Sequence, residues 1–181
     1  QDVFAPSENA EQLFFMTVGA AWNILVSREF ILRENLKFHA FHHADDLGFV
    51  YLCFAMASLI AILPEKFVHY RSNHTGSQAA NLEKWPEAAA GAFKELKREL
   101  EGRGVFYRYQ VTFTEMALHY FAMYLERMVS YQAFEDLYLD WKNRWVRELE
   151  IDRLPDKKLH LNHLKQIRQS LLTLNPGQYI F

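Results

Sequence analysis

Two adjacent carboxylates, Asp45 and Asp46, stand immediately before a stretch from Leu47 to Leu63 that carries no charge. A carboxylate on the polar edge of a buried element is a candidate general base. It must lie within hydrogen-bond reach of the hydroxyl it deprotonates, and it contributes about 10²- to 10⁴-fold to the rate. The same pair has a purely structural reading, because the free N–H groups and the dipole at a helix start favour an acidic side chain. A second polar group, His69, Tyr70, Arg71, Asn73 and His74, follows the Pro64 that closes the apolar stretch. One buried segment therefore carries reactive side chains at both of its ends.

Other chemistries find less support. His39, His42 and His43 precede the acidic pair, but adjacent histidines point to different faces of any regular element, and the two-histidine helical spacing of zinc hydrolases is absent. Glu65 with His69, and Glu115 with His119, are four residues apart where a di-iron bundle requires three. No metal ligands are assigned in this chain. It has no G-x-S-x-G elbow, no P-loop and no G-x-G-x-x-G. Its single cysteine, Cys53, sits in the middle of the apolar run, where a thiolate is disfavoured; a lone cysteine forms no intrachain disulfide, which points to a reducing, cytoplasmic setting.

The elements that must position these groups follow from periodicity. With 181 residues, half of them hydrophobic and 15% aromatic, the chain can bury one substantial core and is not a disordered sequence. A net charge of −2 provides no basic face for nucleic acid. Seventeen uncharged residues are at the lower limit for a membrane span, but Pro64 and the lack of a flanking Lys/Arg cluster favour a core helix from about Asp46 to Ala57 and a short strand from Leu59 to Leu63, resuming at Phe67 to Tyr70. Upstream, Leu13 to Val18 reads as a strand stopped by Gly19, and Ala20 to Glu34 as a helix. Downstream, Ser72 to Asn81 reads as a loop. Helices are expected at Pro86–Leu100 and Tyr109–Met128, then from a Ser130 cap to Leu149, and finally at Pro155–Thr173, with Tyr179 to Phe181 docking the terminus. The expected class is mainly α with two or three short β-strands. Residues 1–80 hold the candidate site and residues 81–181 form a helical region.

Four short motifs in order carry a resemblance. W-N-x-L-x-x-R-E-F-I at Trp22 to Ile31, L-K-F at Leu36 to Phe38, D-D-L-G-F at Asp45 to Phe49 and H-Y-R-S-N at His69 to Asn73 resemble the C-terminal half of bacterial family 2 glycosyltransferases of the GT-A fold. The resemblance extends weakly to the closing L-N-P-G-Q-Y-I-F at Leu174 to Phe181. It implies the C-terminal, acceptor-side portion of an α/β GT-A fold lacking most of its nucleotide-binding sheet, with residues 1–80 as the remnant of the catalytic domain.

By that resemblance Asp46 is the base that deprotonates an acceptor hydroxyl, which attacks a nucleotide-sugar with inversion, and Asp45 is its acidic neighbour. Trp22, Asn23 and Arg71 are substrate-binding. Ala21 and Ile24 depart from the Pro and Lys that flank the family's Trp-Asn, and Asn73 stands where several members carry a metal-binding His. The implied partners are a nucleotide-sugar donor and a glycan or lipid-linked acceptor, for cell-surface polysaccharide, in the cytoplasm or peripheral to the inner face of the cell membrane. A divalent cation, Mg or Mn, belongs to the parent's D-x-D, which this chain lacks, so none is expected here and the chain alone is expected to be inactive. An apolar face left by the absent sheet would favour a homodimer or an exchanged strand. The rival reading is a helical protein-interaction module without catalysis, in which the acidic pair only caps a helix.

Overall fold

A computed structural model of the chain describes residues 3–40, 43–71 and 82–179. It is mainly helical, with one two-stranded antiparallel sheet, β1 (Val3–Phe4) on β2 (Ile60–Ala61), in which Val3 faces Ala61 and Phe4 faces Ile60. The helices are α1 (Arg28–Arg33), α2 (Asp45–Met56), α3 (Ala88–Gly102), α4 (Phe106–Leu125), α5 (Tyr131–Asp140), α6 (Val146–Glu148) and α7 (Asn162–Thr173). A single π turn, Trp141–Trp145, joins α5 to α6. No helix among the described residues is long and apolar enough to cross a membrane.

The central helix is α4, because its sequence is apolar nearly all round. Every residue from Val111 to Leu118 is buried, including Thr112, Thr114 and Glu115. Such a helix must be covered on several sides. α3 covers one, through Phe93 and Leu96, and α7 another, through Leu164 and Leu171. α2, buried from Leu47 to Cys53, packs on α3 and on the 3₁₀ turn Leu13–Met16. One hydrophobic cluster runs through all of these, from Leu13 to Leu171.

Several of the polar groups inside are spent on backbone. α7 has no capping side chain of its own; instead Oε1 of Glu115 on α4 accepts from the N–H groups of His160, at 2.5 Å, and Leu161, at 2.9 Å. A buried carboxylate thus satisfies donors that a helix start leaves open. At the other end of α7, Tyr138 donates to the carbonyl of Ser170 at 2.8 Å and Lys142 to that of Leu174 at 2.6 Å. The Arg168 guanidinium, also buried, donates to the carbonyls of Ile151 and Asp152 and to Asp156, fixing the turn between α6 and α7.

Several sequence expectations need correction. Leu13 to Val18 is not a strand: Leu13–Met16 forms a 3₁₀ turn whose Phe14 N–H donates to Oγ1 of Thr112 at 3.0 Å. Ala20 to Glu34 is not one helix either. Ala21–Asn23 is a 3₁₀ turn, Leu25 is 96% exposed, and the helix begins only at Arg28, where Ser27 accepts from the Phe30 N–H. Phe67 to Tyr70 belongs to no strand, and the last helix starts at Asn162 after a 3₁₀ turn at Asp156–Lys158. The loop expected at Ser72 to Asn81 lies outside the described residues, as do the last two residues of the docking terminus.

Candidate functional site

Asp46 lies in the first turn of α2, not at the N-cap position. The residue before the helix is Ala44, in the left-handed region at φ 58°, and no side chain caps the first turn. A non-glycine residue held there costs on the order of 1–2 kcal/mol, and such strain concentrates where a side chain must be aimed. The Asp46 carboxylate is half-buried and points toward the Ala21–Asn23 turn, where Oδ2 accepts from the Ala21 N–H at 3.3 Å. Asp45, beside it, is exposed.

Burial raises the proton affinity of the Asp46 carboxyl above the ordinary carboxylate range. The Ala21 N–H opposes that rise, Asp45 adds to it, and the backbone N–H of Asp46 itself and then His43 oppose it. No lysine or arginine acts on Asp46 among these influences, so it is not half of an ion pair. His43 is pushed down by burial, with Asp46 and Asp45 opposing. Its Nδ1 shares a 3.1 Å hydrogen bond with the Tyr124 hydroxyl of α4. Tyr51 and Tyr120 form a second hydroxyl pair, and the charge on Asp46 raises the proton affinity of both, after burial. The backbone comes close to this pair at Gly19, where a Cβ would stand 3.0 Å from the Tyr120 oxygen and 3.3 Å from the Tyr51 ring.

The flanking turn brings in an aromatic surface. Trp22 stacks on Tyr70 with ring centroids 5.1 Å apart and planes at 19°, yet the two side chains stay 47% and 60% exposed. Asn23 faces elsewhere and donates to Oγ1 of Thr17 at 3.3 Å. Arg71 follows Tyr70 on the same segment, exposed, and makes no ion pair with either aspartate among the described residues. Asp46, the Trp22 turn and Tyr70 are therefore gathered together, Asp45 borders them, and Asn23 and Arg71 lie at the margin.

Tyr124 and the Tyr51–Tyr120 pair were not singled out by sequence, and Tyr70 was named only as part of the polar group after Pro64. His43 carried a signal through its place before the acidic pair. Among the described residues no group of three or more His, Cys, Asp and Glu side chains could hold a metal ion. The cation that the resemblance implies has no fitting ligands among those described residues. A shallow groove of about 630 Å³ does open elsewhere, between the end of α4, the start of α5 and the Pro176–Gln178 turn, lined by Tyr131, Phe134 and Tyr179. None of the five predicted site residues borders it.

Comparison with protein-family models, with curated proteins and with solved structures found no match.

Proposed function

We propose that the Asp46 site is the acceptor side of an inverting sugar transferase, with Asp46 as the general base. One observation carries this reading: a half-buried carboxylate of raised proton affinity, with no lysine or arginine acting on it, accepts from the turn that carries the exposed Trp22–Tyr70 stack. A base must be ready to take a proton, and a pairing lysine or arginine would lower that readiness. The apolar face of a sugar ring packs on aromatic rings such as Trp22 and Tyr70, and its hydroxyls reach for a carboxylate. Arg71 and Asn23 belong at the edge of the same site. The donor in this reading is a nucleotide-sugar and the acceptor a glycan or a lipid-linked glycan.

The deciding experiment uses the coding region upstream of Gln1. Strand–helix alternation with a D-x-D there, and sugar transfer by the whole product that falls when Asp46 becomes Asn while nucleotide-sugar binding persists, is the expected result. Unchanged transfer by the Asp46→Asn protein would refute the assignment. A non-catalytic interaction module is the second reading, favoured by the run of exposed apolar side chains from Leu59 to Tyr70.

A further inference from the structure

Of the large hydrophobic side chains that face solvent, six lie on one short segment: Leu59, Ile62, Leu63, Phe67, Val68 and Tyr70. Phe67 is 73% exposed and Val68 48%. Side chains of this kind bury roughly 150–250 Å² when aromatic, so the segment presents an apolar strip of several hundred Å², a size that monomers rarely leave open. Beyond β2, no backbone N–H from Ile62 to Arg71 donates to another backbone group among the described residues. Open backbone and open apolar side chains on the same stretch are what a second strand satisfies.

The sequence of the stretch says which strand. Glu65-Lys66-Phe67-Val68-His69-Tyr70-Arg71 is close to self-complementary when laid antiparallel on itself about Val68. That register sets Glu65 opposite Arg71 and Arg71 opposite Glu65, Lys66 opposite Tyr70, and Val68 opposite Val68. Directly opposed residues of unlike charge stabilise an antiparallel pair, and like charges oppose it. Both Glu65 and Arg71 are exposed and neither has an ion-pair partner among the described residues. Moving the centre to Phe67 or His69 removes both charge pairs. Pro64, which has no N–H to give, ends the pairing on one side. The interface is isologous, as two-fold dimers require.

We infer that two copies of this chain associate by antiparallel pairing of their Glu65–Arg71 segments about Val68, with Glu65 of each copy against Arg71 of the other. This surface shares Tyr70 and Arg71 with the proposed sugar site, but the pairing does not rest on that reading, since a monomer could still carry Asp46.

Sedimentation or light scattering on the 181-residue chain is expected to show a reversible dimer at micromolar concentrations. Glu65→Arg and Arg71→Glu should each weaken it about tenfold or more, because each turns two attractions into two repulsions. The double swap should restore it, with circular dichroism unchanged throughout. Val68→Cys, oxidised with diamide, should give a disulfide-linked dimer, since residues facing across the two-fold stand within disulfide reach. Phe67→Cys and His69→Cys should not, because each lies diagonally about 7–8 Å from its own copy. Cys53 is buried, with its thiol pushed up to about 12, and stays silent in that assay. A strictly monomeric chain, a double swap that fails to rescue, or cross-linking no faster at residue 68 than at 67 and 69 would each overturn the proposal.

Discussion

The Tyr124 hydroxyl stands 3.1 Å from Nδ1 of His43, so the residue three positions before Asp46 is tied to a helix 81 positions downstream. The bond fixes how the chain enters the strained Ala44 and hence where Asp46 points. Replacing Tyr124 by Phe should cost about 0.5–1.5 kcal/mol, read as a loss of about 2–6 °C in Tm. It should also change the nuclear resonance shifts of Asp46, which a bond of merely local importance would leave alone.

His43 gives a pH dependence of definite sign. Burial lowers its folded pKa below the ordinary 6.5, so the unfolded chain binds the proton more readily. The stability linked to this group is complete above 6.5 and is lost as pH falls through the folded value. Urea midpoints measured from pH 8 to pH 5 should therefore fall, and the fall should be smaller in His43→Gln. A remnant will persist, because His119 is also pushed down by burial.

For Asp46 the sign is opposite. Its folded pKa lies above the ordinary 3.8, so the stability linked to it is complete below that value and is lost as pH rises through the raised one. The ionised form of the carboxylate is a burden to the fold, and Asp46→Asn keeps an oxygen to accept the Ala21 N–H. That variant should melt at the same temperature as the parent or higher, while losing about 10²- to 10⁴-fold in transfer. A helix-capping aspartate predicts the reverse: a lower Tm and no chemistry lost.

How far the chain could be read depended on whether the deciding contact was local. α2 was expected at Asp46–Ala57 and occupies Asp45–Met56, and Ser130 does cap α5, accepting from the Ala133 N–H at 3.1 Å. Both rest on neighbours in sequence. The Phe-rich Leu13–Val18 stretch looks like a strand until Thr112, 98 residues away, takes the Phe14 N–H. The helix expected from Ala20 ignored a signal that was present, Ser27 followed by an acidic first-turn residue, Glu29. In the site, Asp46 was visible as a carboxylate at a helix start, whereas its aromatic company, Tyr70 on Trp22 and Tyr124 on His43, comes from segments that spacing does not connect. Glu115, weighed against His119 as a metal pair, turns out to hold backbone.

That last role is open to a direct test. Glu115 is 1% exposed, and its carboxylate is the sole capping group that α7 receives at its start among the described residues. Glu115→Ala would leave the His160 and Leu161 N–H groups, in a partly buried site, without that acceptor. Losing these two partly buried bonds to a carboxylate is expected to cost about 1.5–3 kcal/mol and to lower Tm by roughly 3–12 °C. Glu115→Gln keeps one acceptor oxygen in place and should recover at least half of that loss. Hydrogen exchange locates the effect: in the Ala variant the first turn of α7 should exchange faster than α3, whose contacts are untouched. Equal acceleration in both helices would mean that Glu115 supports the core at large, and the capping role would be wrong.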